Sequence, residues 1–206
     1  MSRFTASVTP DYFAGVYAAD PDPWRFTTSA YERAKYASTL ESLPRERYAS
    51  ALEVGCSIGV FTRALAPRCA ALTALDVVPA ALDAARAACA GQPHVRFELG
   101  AVPDAWPDGA FDLILLSEVL YFLDRADLRR LAARVGGALR PGGDCVLVHW
   151  LGETPFPLTG DEAAEGFIAD AAGFARPLGG ARTQDYRLDI LRATATDDGR
   201  DEDAAP

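Results

Sequence analysis

The chain has 206 residues, a length typical of one domain that buries a hydrophobic core of its own. Its net charge of −9 without a basic stripe argues against a nucleic-acid partner and favours neutral or positively charged small molecules. No apolar run approaches a membrane span, no signal peptide is visible, and the four cysteines and two histidines lack metal-binding spacing, so we expect a cytoplasmic protein with reduced thiols, no membrane contact and no metal.

Residues 1–48 carry no strand pattern and concentrate aromatic side chains. Prolines at positions 21 and 23 predict a rigid turn ahead of Trp24, because proline fixes φ and restricts the residue before it. Ser29, with Glu32 three residues later, has the pattern of a capping box and predicts a helix over 30–43 that Pro44 ends. We expect this segment to be either a helical layer packed on a sheet or a lid that closes over a ligand.

Residues 51–61 predict a short buried strand, a glycine turn and the first turn of a helix. The strand carries Glu53 near its end, and Gly55 and Gly59 bracket the turn, where a residue without Cβ lets the backbone approach a ligand closely. A strand that leads through a glycine turn into a helix N-terminus is typical of a small-ligand site built of backbone N–H groups.

Three chemistries fit such a turn to different degrees. A dinucleotide site needs Gly-x-Gly-x-x-Gly, and Ser57 and Val60 stand where its second and third glycines belong. Residues 55–59 also spell Gly-x-Ser-x-Gly, the pattern of a hydrolase nucleophile, but the preceding strands and the oxyanion loop of that class are missing from the pattern. The third interpretation is Glu-x-Gly-x-x-x-Gly followed by Asp76 at the end of the next strand, where an acid meets the hydroxyl pair of a ribose.

From residue 51 onwards strands and helices alternate. The apolar runs predict further strands at 72–77, 95–99, 111–116 and 144–151, and helices from residue 60, over 80–90 and over 125–139, with a loop at 103–109 and a tight turn at 140–143. Such alternation predicts a parallel sheet with right-handed crossovers.

After residue 151 the alternation ends. We predict a helix that Thr159 or Asp161 caps and that ends near residue 172, then strands at 174–181 and 183–193, whose short link requires an antiparallel hairpin. The predicted fold is therefore α/β, a doubly wound Rossmann-like seven-stranded sheet of five parallel strands plus an antiparallel C-terminal hairpin, with helices on both faces. It occupies residues 49–194, and the acidic residues 195–206 are predicted to be a disordered tail.

Several stretches carry a family resemblance: residues 22–25, 31–33, 51–56, 117–121 and 139–143. Over residues 45–193 the sequence resembles the class I S-adenosylmethionine-dependent methyltransferases. More narrowly, it resembles the nodulation protein S group of N-methyltransferases, which methylate the free amine of a deacetylated chitooligosaccharide. The glycine turn and the Pro-Gly-Gly at 141–143 are common to the class, whereas the Asp-Pro-Trp and Glu-Val-Leu-Tyr stretches point to the group.

The resemblance implies S-adenosylmethionine as cofactor, S-adenosylhomocysteine as its product, and no metal. It implies that Glu53 reaches the methionine ammonium, that Asp76 binds both ribose hydroxyls, and that Trp24 stacks on the cofactor while Arg33 binds the methionine carboxylate. Members of the class usually have an Asp after the third strand that accepts a hydrogen bond from the adenine amine. Ala101 stands in that region here, so backbone groups or Asp104 would have to bind the adenine instead. The implied cofactor-binding residues are Trp24, Arg33, Glu53, Gly55, Cys56, Ser57, Gly59, Asp76, Val77, Ala101, Val102, Ser117 and Tyr121.

The catalytic candidates are Glu118, His149 and Tyr31. Glu118 lies at the carboxyl edge of the central strand, where it would orient an amine and help to take its proton. His149 closes the fifth strand as a second proton acceptor or orienting group, and Tyr31 is placed for the face of a sugar. Purely structural interpretations stay open for each, such as a satisfied core imidazole for His149.

We therefore expect methyl transfer to an amine of a small molecule, with an amino sugar or a deacetylated chitooligosaccharide as the candidate acceptor. An O-methyltransferase acting on a small metabolite is the nearest alternative. A Ser57 esterase and a non-catalytic ligand-binding module are the alternatives from other classes.

Overall fold

Seven strands form one mixed sheet. They are β1 (Ala51–Val54), β2 (Leu72–Asp76), β3 (Val95–Leu99), β4 (Phe111–Ser117), β5 (Leu139–Trp150), β6 (Ala175–Arg182) and β7 (Tyr186–Ala193). Their order in the sheet is β3-β2-β1-β4-β5-β7-β6, with β1 to β5 parallel and β7 antiparallel to both β5 and β6. The predicted fold class is confirmed.

The structure is a computed structural model that describes residues 3–194, so the tail predicted at 195–206 lies outside the described residues. The described helices are α1 (Pro10–Ala19), α2 (Ala30–Ser42), α3 (Val60–Leu65), α4 (Pro79–Ala88), α5 (Arg125–Ala138) and α6 (Gly160–Asp170). Within residues 3–194, no helix is both long enough and apolar enough to cross a bilayer.

The central strands are largely apolar because both faces of the sheet are covered. One face packs Leu52, Ile114 and Leu147 against α5 and α6, and the other packs residues of β4 and β5 against α2, α3 and the chain that leads into β1. Burial on both faces removes any polar alternation from these strands, which is why their apolar runs were recognisable in the sequence.

β5 begins earlier than the sequence predicts. The tight turn expected at 140–143 is part of the strand, because Phe111 pairs with Leu139 and Leu113 next pairs with Asp144. The extra residues between these two pairs are accommodated as an irregularity of the ladder, with Gly142 at a φ of +72°. The Pro-Gly-Gly sequence therefore bulges one strand and does not separate a helix from a strand.

The N-terminal segment contains two helices, of which the sequence predicted only α2. Ser29 accepts the Glu32 N–H at the start of α2, as expected, but the Glu32 side chain does not return to Ser29 to complete the capping box. It turns instead to Lys35. At α6 both halves of a capping box are formed by Thr159 and Glu162, so Thr159 is the cap of that helix.

Candidate functional site

A cavity of about 500 Å³ lies at the carboxyl ends of β1 to β4 and is covered by the N-terminal segment. Parallel strands place their carboxyl ends at one edge of the sheet, and the loops that follow them form the floor of the cavity. Its lining includes most of the residues that the sequence predicted for a site: Trp24, Tyr31, Glu53, Gly55, Cys56, Ser57, Asp76, Val77, Ala101, Val102, Ser117, Glu118 and Tyr121.

The glycine turn after β1 lines the cavity and packs closely against the residue Val119. Gly55 has a φ of +79°, and a Cβ built on it would lie 2.5 Å from a methyl of Val119. Glu53 points into the cavity from β1 with a side chain that is buried, and its Oε2 has no hydrogen-bond partner among the described residues. Burial raises the pKa of Glu53 to about 8, and the nearby Asp76 carboxylate adds to that rise. A buried carboxylate oxygen without a partner fits the ammonium group of a ligand.

Asp76 is held by two backbone groups. Its Oδ2 accepts the Ser57 N–H at 2.8 Å, and its Oδ1 accepts the Val78 N–H at 2.9 Å. Burial raises the pKa of Asp76, and these two N–H donors oppose the rise. Because each carboxylate oxygen has a further lone pair, Asp76 can accept one more hydrogen bond on each side, which fits two adjacent hydroxyls such as those of a ribose.

Ser57 is bonded to the N-terminal segment. Its hydroxyl forms a hydrogen bond with the Tyr17 hydroxyl, and the Tyr17 ring lies edge-on to Trp24 with the ring centroids 5.5 Å apart. Among the residues that line the cavity there is no histidine, so no imidazole is placed to activate Ser57. The arrangement does not support the esterase interpretation.

The loop after β3 supplies only backbone and apolar groups. Gly100, Ala101 and Val102 line the cavity opposite Val77. Asp104, which the sequence left as a candidate for the adenine amine, is exposed and forms an ion pair with Arg130. Asp104 therefore does not reach back into the cavity, and contacts to a base in this region fall to backbone groups.

Glu118 is the centre of a polar cluster at the other end of the cavity. Its Oε1 accepts from Lys35 Nζ at 2.5 Å, and its Oε2 accepts from the Tyr121 hydroxyl at 2.8 Å and from the Trp150 N–H at 2.9 Å. Its backbone has a φ of +57°, which is uncommon for a residue other than glycine. Three donors from three different segments fix this carboxylate in one orientation.

Lys35 joins Glu118 to a second carboxylate. Its Nζ lies 3.0 Å from a carboxylate oxygen of Glu32 and 5.3 Å from the centre of the Tyr31 ring. Burial alone would lower the pKa of Lys35, but the Glu118 and Glu32 carboxylates outweigh it and the pKa is raised.

The Tyr31 hydroxyl is buried without a hydrogen-bond partner among the described residues, and burial, followed by the Glu118 charge, raises the pKa of this phenol. Neutral Tyr31 is thus available to a ligand.

Neither Lys35 nor Glu32 is among the site residues that the sequence pattern predicts. A Glu–Lys pair three positions apart on a helix is typical of a solvated face, so its spacing did not indicate a cavity. One signal was available in the composition: Lys35 is the only lysine, and all the others among the 20 lysine and arginine residues are arginines.

Three predicted site residues do not line the cavity. His149 is fully buried, its Nε2 accepts the Leu120 N–H at 3.3 Å, and burial lowers its pKa to about 4, so it is a neutral core imidazole. Arg33 is exposed on α2 and donates to the Thr28 carbonyl. Gly59 begins α3 with a φ of +77°, and a Cβ there would lie 2.8 Å from Ala85, so its lack of a side chain serves the contact between α3 and α4.

Within the described part of the chain, no group of three or more histidine, cysteine, aspartate or glutamate residues is arranged to hold a metal ion. The four cysteines are free and buried.

Comparison with known proteins identifies one family. The family model for nodulation protein S (NodS) matches residues 16–151. Nodulation protein S of Rhizobium tropici is 42% identical over 131 residues, which are 63% of this chain and 55% of that protein. Nodulation protein S of Sinorhizobium fredii is 38% identical over 130 residues, which are 62% of this chain and 60% of that protein. This chain thus spans little more than half the length of the curated relatives it matches.

One solved structure is similar to this chain over nearly the whole length of both proteins. It is the crystal structure of the N-methyltransferase NodS from Bradyrhizobium japonicum in complex with S-adenosylhomocysteine, with a TM-score of 0.79 and 26% identity. The alignment covers 90% of this chain and 99% of that one. Its central strands and helices therefore have counterparts throughout the described part of this fold.

Proposed function

This chain belongs to the nodulation protein S family, and from that premise we propose that it is an S-adenosylmethionine-dependent methyltransferase that methylates an amine of a small molecule. The charge of the cavity is the observation that carries the proposal. Four carboxylic acids line it, Glu32, Glu53, Asp76 and Glu118, against a single basic side chain, Lys35. Such a cavity attracts a sulfonium donor and an amine acceptor and repels an acceptor that is itself a carboxylate.

The residues of the glycine-turn end would hold the cofactor. Glu53, with its unpartnered oxygen, would accept from the methionine ammonium, and Asp76 would accept from both ribose hydroxyls. Gly55 lets the turn pack directly against Val119 at the floor of the cavity, where a Cβ would collide with a Val119 methyl. When bound, S-adenosylmethionine would supply a methyl group activated by its sulfonium, with the thioether of S-adenosylhomocysteine as the leaving group.

The residues of the Glu118 end would orient the acceptor. Glu118 has one lone pair of Oε1 left after its three hydrogen bonds, which suits it to accept an N–H and so to turn the amine lone pair towards the donor. The Tyr31 hydroxyl supplies a second polar contact, and the aromatic rings around it exclude water. We keep Glu118 and Tyr31 as the proposed acceptor-binding residues, and we no longer propose a role in catalysis for His149.

We propose the free amine of an amino sugar, including a deacetylated chitooligosaccharide, as the acceptor class. We also propose that residues 1–48 act as a lid, since Tyr17, Trp24 and Tyr31 of this segment line the cavity.

The free, buried cysteines agree with a reducing compartment, and we propose that the reaction occurs in the cytoplasm.

The test has two parts. Calorimetry with S-adenosylhomocysteine should give binding of one ligand per chain, and absence of binding would remove the methyltransferase proposal. Incorporation of labelled methyl from S-adenosylmethionine is then measured with glucosamine oligomers and with their fully N-acetylated counterparts. We expect incorporation only where the amine is free, and incorporation that survives acetylation would show that oxygen is methylated instead.

A further inference from the structure

The only lysine of the sequence lies buried in the cavity, between two carboxylates. The Lys35 side chain is 3% exposed, and its Nζ forms ion pairs with Glu118 at 2.5 Å and with Glu32 at 3.0 Å. Everywhere else this chain uses arginine as its basic residue. An exception at this one position indicates that the site needs a small point charge and not a planar guanidinium with five donors.

The three charges leave the cluster with a formal charge of −1, because Lys35 balances one of the two carboxylates. An amine acceptor arrives in water largely as an ammonium, and an ammonium has no lone pair with which to attack a methyl group. Two carboxylates without a counter-charge would hold the ammonium form, and so would oppose the loss of the proton that the reaction requires.

We propose that Lys35 is a positioning residue for the acceptor: it fixes Glu118 in place and offsets enough negative charge that the bound amine gives up its proton. This inference rests on the proposed function. Lys35 itself does not contact the reacting atoms, and acts through Glu118 and Glu32. Its own amine stays protonated between the two carboxylates, so it does not compete with the acceptor for the methyl group.

Other ionisable groups face the cluster from each neighbouring element. They are Tyr31 and Tyr36 on α2, Glu53 on β1, Tyr121 after β4, His149 on β5, Asp185 just before β7 and Tyr186 at its start, and burial raises the pKa of Tyr36 so that it stays neutral. The raised pKa values of Tyr31 and Tyr121 and the lowered pKa of His149 keep these three neutral near pH 7. Glu53 titrates in the working range, but it is present in every variant compared, so differences between variants report on the cluster.

The central experiment compares the native protein with Lys35→Met, using glucosamine as the acceptor. For the complex with S-adenosylhomocysteine, we expect calorimetry near neutral pH to show glucosamine bound about tenfold more tightly by Lys35→Met, because the cluster then has two uncompensated charges. Turnover should change in the opposite direction: kcat falls about tenfold and recovers as the pH is raised by about one unit, since the deprotonated fraction changes tenfold per unit. A kcat that falls equally at every pH, with unchanged affinity for glucosamine, would overturn the proposal.

Glu32→Gln changes the charge of the cluster in the opposite direction to Lys35→Met. If Lys35→Met does not fold, Glu32→Gln tests the proposal by itself. Removing one carboxylate makes the cluster neutral, so glucosamine should bind more weakly and the acidic limb of the kcat profile should move to lower pH. Movement of both variants in the same direction would overturn the proposal.

Lys35→Arg and Arg130→Met serve as controls. Lys35→Arg keeps the charge and should retain the native pH profile with a higher KM. Arg130, an exposed cation of α5, should be replaceable by Met without effect on either measurement. Binding of S-adenosylhomocysteine separates the two proposals: if the native protein does not bind it, the proposed function fails, whereas normal binding with an unmoved pH profile refutes only the role of Lys35.

Discussion

At the scale of single residues, burial and hydrogen-bond partners distinguish two glutamates of the cavity. Glu53 has no counter-charge or hydrogen-bond donor on Oε2, so burial dominates and its pKa rises to about 8. Glu118, in contrast, is surrounded by three donors. The two glutamates are therefore suited to different tasks: Glu53 can bind a cation, and Glu118 is held in a fixed orientation.

Replacing Glu53 by Gln should change stability and affinity in opposite directions. Because the folded pKa of about 8 lies above the reference value of 4.5, the ligand-free folded protein binds more protons than the unfolded chain between these two pH values, and its free energy of unfolding falls as the pH rises through that window. Glu53→Gln removes this loss, so the variant should melt at a higher temperature than the native protein at about pH 8. Affinity for S-adenosylhomocysteine should fall, and a variant that gained stability with full affinity would take Glu53 out of the binding site.

Asp76→Ala should weaken the binding of S-adenosylhomocysteine by about 1–3 kcal/mol, or roughly 5-fold to 150-fold, as expected for the loss of a charged hydrogen-bond acceptor. The loss includes the bonds that Asp76 accepts from the Ser57 and Val78 N–H groups. Calorimetry measures the effect, with Asp83→Ala, a carboxylate exposed on α4, as the matched control. Equal affinity of the Asp76 variant and the control would show that the ribose binds elsewhere.

At the scale of elements, the strands were predictable and the helices of the N-terminal segment were only partly so. The buried strands β1, β2 and β4 are largely apolar, with Glu53, Asp76 and Asp112 as their acidic residues, and the pattern found them within a residue or two. The segment that forms α1 has no residue buried in the structure, so no apolar face marked it in the sequence. The start of β5 was missed because Pro-Gly-Gly is a turn signal, whereas here it forms a bulge inside the ladder.

α1 has the features of an element that opens easily. It has ten residues, too few to be stable as an isolated helix, and it has no side-chain cap. Its link to the glycine turn is the hydrogen bond between Tyr17 and Ser57. Opening of this helix would expose the cavity, as expected of a lid.

Hydrogen exchange should therefore detect the cofactor at α1. We expect S-adenosylhomocysteine to slow the exchange of the α1 amides at least several-fold, because Tyr17 of α1 lines the cavity proposed for the cofactor, while the amides of α5, which is well buried, change little. Tyr17→Phe should reduce that protection without preventing binding. Protection of α5 in place of α1 would contradict the assignment of residues 1–48 as a lid.

At the scale of the whole molecule, the order of the sheet explains which part of the site could be predicted. Parallel strands bring Glu53, Asp76 and Glu118 to one edge, and strand ends can be located in a sequence. Lys35 and Glu32 reach the same cavity only because α2 folds back over that edge, and no local pattern encodes such a long-range contact. His149 lies outside the cavity lining for a related reason, since a strand-end position does not tell whether a side chain faces the cavity or the core.

The solitary lysine has a practical consequence for work on this protein. Reagents that acylate side-chain amines have one target in this sequence, Lys35, and it lies inside the cavity. Because this amine is buried and protonated between two carboxylates, the folded protein should resist such reagents and the unfolded chain should react, so acylation at this position becomes a built-in reporter of unfolding. The same feature makes lysine coupling a poor route for attaching the folded protein to a support, and the buried cysteines are no better, so coupling through exposed arginines would be needed.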